Sequence, residues 1–155
     1  GRRSGSADTG ALASSLRGFL TAVQPGDYVA LLPYLPGTSQ HEAAMATLAT
    51  RVRSWVRAPV TVNMGPRYLH STGQLHKGGP ATGVFVIITV AVDSDIAIPG
   101  EAFGFGQLNL AQAEGDYRVL AGLDRRVIRV HLSCPTDIGL AKLSACLATD
   151  AMASG

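Results

Sequence analysis

The chain has 155 residues, 46% of them hydrophobic and 15% charged, with a formal net charge of +2. That length suits one domain with a substantial buried core. Its basic residues are scattered rather than set in a stripe with interleaved aromatics, which argues against a nucleic-acid footprint. No apolar run approaches the ~18 residues of a membrane span. The opening GRRSGSADTG has arginines but no apolar stretch behind them, so it is not a secretory signal. Residues 1–10 read as a flexible lead-in, and residues 11–155 as a single domain.

In chain order, the first element is a helix. Leu12, Leu16, Phe19, Leu20 and Val23 recur at helical spacing, Asp8 or Thr9 can cap its start, and Pro25-Gly26 ends it. DYVALLPYL is a short apolar strand. PGTSQHEAAMATLATRVRSWVRAP is a second helix, with Ser39 and Glu42 spaced as a capping box and Met45, Leu48, Val52 and Trp55 as its apolar stripe. PVTVNM is strand-like.

After a polar segment, TGVFVIITVAVD reads as a strand buried on both faces, the signature of a central strand in a parallel sheet. GQLNLAQAEGDYRVLAGLD is helical in pattern, with Leu108, Ala111, Val119 and Leu120 inward and Gly115 as a bend or division. RRVIRVHL alternates as a strand. PTDIGLAKLSACLATDA closes as a helix capped near Thr136 or Asp137. This alternation predicts a three-layer, flavodoxin-like α/β fold: a parallel sheet of four to five strands with helices on both faces. A fifth strand would be expected ahead of the first helix, and the chain reads as beginning just after its place.

The polar segment GPRYLHSTGQLHKGGP, residues 65–80, carries the chemistry. Pro66 suits a helix start and Gly78-Gly79-Pro80 a helix stop. On such a helix His70, Gln74 and Lys77 share one face, with Arg67 beside it. The segment leaves the carboxyl end of a strand, where open α/β sheets bind ligands. A guanidinium, an imidazole, an amide and an ammonium on one surface suit a phosphorylated or carboxylated small molecule, with a histidine that can move protons near neutral pH. His76 is turned about 240° from His70 on a regular helix. The two therefore cannot chelate one zinc ion, and no metal is expected.

Other candidates are weaker. His41 reads as a solvated residue in a helix N-terminal turn, and His131 as a partly buried strand histidine. Cys134 and Cys146 show neither metal spacing nor a CxxC pair and read as free thiols of a cytoplasmic protein. There is no dinucleotide fingerprint, P-loop or nucleophile elbow.

The run GPRYLHSTGQLHKGGP, followed by TGVFVIIT, AFGFGQLNLAQAEGD and RRVIRVHL, resembles the phosphoglucose isomerase part of fused transaldolase/glucose-6-phosphate isomerase proteins. The resemblance runs from about Gly26 to the last helix and falls on the final sugar-isomerase (SIS) subdomain of that family. It implies interconversion of glucose 6-phosphate and fructose 6-phosphate through an enediol, without a cofactor. It assigns His70 to opening and closing the sugar ring, and places Arg67, Ser71, Thr72, Gln74 and Lys77 around the sugar phosphate. It also implies a homodimer or an upstream SIS subdomain as partner.

The sequence departs from that family at three points. The family's proton-shuttling glutamate lies roughly thirty residues before the histidine, and the nearest acid here, Glu42, reads as a helix cap. The family's lysine near the end is replaced by Gln107, Asn109 and Gln112. Ala81 stands where a polar residue is expected. With the phosphate loop also missing, the expectation is a chain that is inactive alone. The alternative is a non-catalytic phosphosugar-binding or dimerisation module. A metal-dependent hydrolase ranks behind both.

Overall fold

A computed structural model of the chain describes residues 4–66, 72–92, 95–133 and 136–148, with side chains from residue 10 onward and, in the segment before the central strand, from residue 75. The elements run α1 (Ser4–Leu20), β1 (Tyr28–Pro33), α2 (Ser39–Val56), β2 (Val60–Val62), α3 (Thr72–Gly78), β3 (Gly83–Val90), α4 (Phe105–Gly122), β4 (Arg126–Leu132) and α5 (Thr136–Ala148). Four parallel strands form one sheet in the order β2-β1-β3-β4. Tyr28 to Pro33 of β1 pair residue by residue with Gly83 to Ile88 of β3, and Val84 to Val90 pair with Arg126 to Leu132 of β4.

The sheet is doubly wound. Val29 and Leu31 of β1 share one apolar cluster with Val84, Val86 and Ile88 of β3. Leu16 of α1, Met45 and Leu48 of α2, and Leu140 and Leu143 of α5 close that cluster. The alternate residues Ala30, Leu32, Phe85 and Ile87 point to the other face, where Ala113 and Leu120 of α4 cover them. Side chains two apart on a strand share a face, so continuous apolar runs such as VFVII suit a strand sandwiched between helix layers. The first seven residues of β3 are all buried. Three layers and a central β3 match the sequence expectation. The described residues hold four strands.

Several local readings are corrected. α1 begins at Ser4, ahead of the Asp8 or Thr9 cap, so residues 4–10 are helical. The cap of α2 is Thr38, whose hydroxyl accepts from the His41 backbone N–H at 3.1 Å. The Ser39–Glu42 capping box is therefore not formed: the true cap lies one residue earlier and leaves the Glu42 side chain uncommitted to that role. α4 runs unbroken through Gly115. It buries Ala113, Asp116 and Leu120, whereas Val119 is exposed and Ala111 faces outward. Leu120 is inward as expected, while Asp116 fills an inward position that patterning assigns to solvent.

Candidate functional site

In a doubly wound sheet the chain leaves neighbouring strands toward opposite faces at one place, and a crevice opens there at the carboxyl ends. Here that place lies between β1, which leads to α2, and β3, which leads to α4 on the other face. Backbone bonds hold its rim: Tyr34 N–H donates to Ile88 O at 2.9 Å, Gly65 N–H to Pro33 O at 2.9 Å, and Ala91 N–H to Leu132 O at 2.8 Å.

Two adjoining cavities occupy the crevice and share Pro36 and Asn109. The larger, about 380 Å³, reaches over the end of β3 between Tyr34, Val90, Val92, Phe105 and Leu110. The smaller, about 190 Å³, lies toward β2 and is lined by Gly37, Glu42, Met64, Gly65 and Pro66. Glu42 thus brings an exposed carboxylate from the start of α2 to the same cavity as Gly65-Pro66.

Both helix N-termini at the crevice already have partners of their own. Thr38 caps α2. The Asp95 carboxylate accepts from the Gly106 and Gln107 backbone N–H groups of α4 at 2.7 and 3.1 Å. A Cβ on Gly104 would overlap that carboxylate, so glycine is required for Asp95 to sit there. An anion that the positive end of either helix could attract meets an occupied cap, with Glu42 or Asp95 nearby.

Beside the crevice lies a buried polar network. Tyr34, at the end of β1, is 3% exposed, and Asp116 of α4 is 4% exposed. The Tyr34 hydroxyl donates to Asp116, and burial together with the neighbouring carboxylate pushes the phenol well above its ordinary range. Burial raises Asp116 to about 6, against the opposing pull of the Tyr34 hydroxyl. Lys77 of α3 places Nζ 2.9 Å from Asp116 Oδ1, which favours the charged carboxylate.

The other side of α3 is held at the amino end of the sheet. His76 is 4% exposed, its Nδ1 lies 2.9 Å from the Tyr28 hydroxyl, and its ring packs edge-on against Phe85 at 4.9 Å. Burial lowers the pKa of His76, and the Lys77 charge adds to that.

Of the residues named from sequence, Arg67, His70 and Ser71 lie outside the described residues, and the Thr72 and Gln74 side chains do too. Thr72 begins α3. Lys77, named for the sugar phosphate, is paired with Asp116. Pro66 does not open a helix; it sits in a turn, and α3 starts six residues later. His131 is exposed rather than partly buried, with Nδ1 2.9 Å from the buried Thr89 hydroxyl. His41 Nδ1 lies 2.8 Å from Pro36 O. Cys146 is half-buried and in no disulfide among the described residues, and Cys134 falls outside them. Sequence reasoning missed Tyr34 and Asp116. An acid at an inward position of α4, between Ala113 and Leu120, was the available signal.

No group of three His, Cys, Asp or Glu side chains that could hold a metal occurs among the described residues. None of the described helices is long and apolar enough to cross a membrane.

No protein-family model matches the chain, and no curated protein does. Among solved structures, a crystal structure of a hypothetical protein from Thermus thermophilus is similar, with a TM-score of 0.60 at 20% sequence identity. The alignment covers 90% of this chain and 38% of that one, so this chain spans well under half of its structural neighbour. At that identity the likeness establishes the fold.

Proposed function

We propose that the chain is the C-terminal part of an aldose–ketose isomerase acting on a phosphorylated sugar, glucose 6-phosphate and fructose 6-phosphate being the pair that the sequence resemblance suggests. The observation that carries this reading is the shared cavity of Glu42 and Gly65-Pro66 at the carboxyl edge of the sheet. With Thr38 as the α2 cap, Glu42 is the acid for the proton transfer that sequence reasoning left without a carboxylate. It precedes His70 by 28 residues.

The chemistry needs an acid, a base and positioning. Glu42 takes the proton from C2 of the open-chain aldose while the C1 carbonyl oxygen gains one, giving an enediol. Return of the proton to C1, with loss of the O2 proton, yields the ketose. Carbon is neither oxidised nor reduced overall, so atoms and electrons balance without a redox partner. His70 opens and closes the ring. Asn109 lines both cavities and would orient sugar hydroxyls.

The occupied α2 and α4 N-termini support the view that this chain does not seat the phosphate by itself. The phosphate grip then belongs to an upstream subdomain or a partner subunit, in a cytoplasmic protein. The likeness to one part of a longer chain agrees with that arrangement.

The test compares fructose 6-phosphate turnover by the full-length reading frame with turnover by the 155-residue chain. The expected result is turnover in the first, abolished by His70→Ala, and none in the second above the same control. Absence of turnover in the full-length protein, with sugar phosphate still bound in calorimetry, would replace this reading with a non-catalytic phosphosugar-binding module.

A further inference from the structure

We propose that Asp116 is a positioning residue for the crevice: through Tyr34 and Lys77 it gathers both ends of the segment from Gly65 to Lys77 onto one buried carboxylate. The closure itself is a matter of geometry. Its role in the reaction rests on the isomerase reading, which puts His70 inside that segment.

The first end is fixed at the carboxyl edge of the sheet. Gly65 N–H donates to the carbonyl of Pro33, the residue before Tyr34, at 2.9 Å. A Cβ on Gly65 would lie 2.7 Å from Tyr34 Cζ, so the Gly65 backbone rests on the end of the ring that bears the hydroxyl. That hydroxyl donates to Asp116. The second end comes 12 residues later. Lys77 Nζ lies 2.9 Å from Asp116 Oδ1, and Arg125 holds the Lys77 carbonyl at 3.1 Å.

The Tyr34 ring is also a wall of the crevice. It lines the larger cavity, and the Gly65 it supports lines the smaller one with Glu42. A shift of the ring would therefore move Gly65-Pro66 relative to Glu42. Segments of roughly 6–16 residues whose ends meet often carry function. A buried ion pair is weak support for stability, because desolvation offsets much of the attraction. Apolar side chains could fill the same space, but they would not define which atoms of β1, α3 and α4 meet. The ammonium of Lys77 is thus assigned to Asp116 rather than to a phosphate.

α3 depends on this closure. It is seven residues long and leaves Leu75 exposed, and His76 is its one buried side chain among those described. So short a helix with few apolar contacts has little stability of its own.

Two measurements test the proposal. The first is hydrogen–deuterium exchange of the α3 amides in the 155-residue chain at one fixed pH. Tyr34→Phe removes the hydroxyl at the first end and Lys77→Met the charge at the second, with little change in side-chain volume. Each should speed α3 exchange by about tenfold. The double variant should add no more than about twofold to the faster single one, because both act through Asp116. Lys77→Arg should restore slow exchange. Wild-type exchange in Tyr34→Phe, or effects that multiply in the double variant, would overturn the closure.

The second measurement is turnover of fructose 6-phosphate by the full-length protein. In Tyr34→Phe and Lys77→Met, kcat should fall by about tenfold with KM within about twofold of wild type, and Lys77→Arg should recover it. A raised KM with unchanged kcat in Lys77→Met would put the lysine on the phosphate and overturn the positioning role. Absence of turnover in the wild-type protein would remove the isomerase reading and the positioning role with it, while the exchange result still decides the closure.

Discussion

The Tyr34 ring and the Gly65 backbone are in direct contact: a Cβ placed on Gly65 would lie 2.7 Å from Tyr34 Cζ. Tyr34 is 3% exposed and its hydroxyl is committed to Asp116, so the ring has little room to yield. This contact ties the end of β1 to the start of the segment that leads toward α3. Gly65→Ala should cost about 1–3 kcal/mol, as overpacking does in a filled core. Urea denaturation at pH 7 checks this. An alanine variant as stable as wild type would mean that the Tyr34 ring moves freely.

The α2 cap gives a second prediction. Thr38→Ala should cost about 1 kcal/mol and Ser39→Ala a few tenths at most, because only the Thr38 hydroxyl accepts a helix N–H. Thermal melts of the two variants compare them directly. The reverse ranking would restore the Ser39–Glu42 box and recommit Glu42 to the helix end.

Global stability should carry the titration of Asp116. Its folded value of about 6 lies above the ordinary 3.8, so its contribution is present below about 4 and lost as pH rises through about 6. The shift bounds the effect at about 3 kcal/mol, reduced in practice by Lys77. Asp116→Asn should therefore flatten this part of the pH profile between 4 and 7, measured by urea midpoints. An unchanged profile would mean that the acid is not the source of the slope.

Much of the fold was legible because binary patterning is strong in this chain. The VFVII run could only be a strand covered on both faces, and it is β3. The stripe of Met45, Leu48 and Val52 is the buried side of α2. The inward face of α4 was not legible, since Asp116 occupies a core position that a hydrophobicity pattern assigns to solvent. Its partners Tyr34 and Lys77 lie 82 and 39 residues away in sequence, and only the winding of the chain brings them together. His76 was set aside for its expected angle to His70, yet its ring lies against Tyr28 and Phe85. Glu42 was read as a helix cap through a one-residue error in the cap position. A capping box and a cap one position earlier share most of their sequence signal, and the helix chooses between them by backbone geometry.

On the proposed reading, Glu42 at the carboxyl edge of the sheet moves the proton between C1 and C2 of a sugar phosphate. Glu42→Gln preserves the shape of the side chain and removes the base. In the full-length protein, kcat for fructose 6-phosphate conversion should fall by about 10²–10⁴-fold, within the range for loss of a general base, with the melting temperature unchanged. A Glu42→Gln protein that turns over fructose 6-phosphate at the wild-type rate would rule Glu42 out as the base.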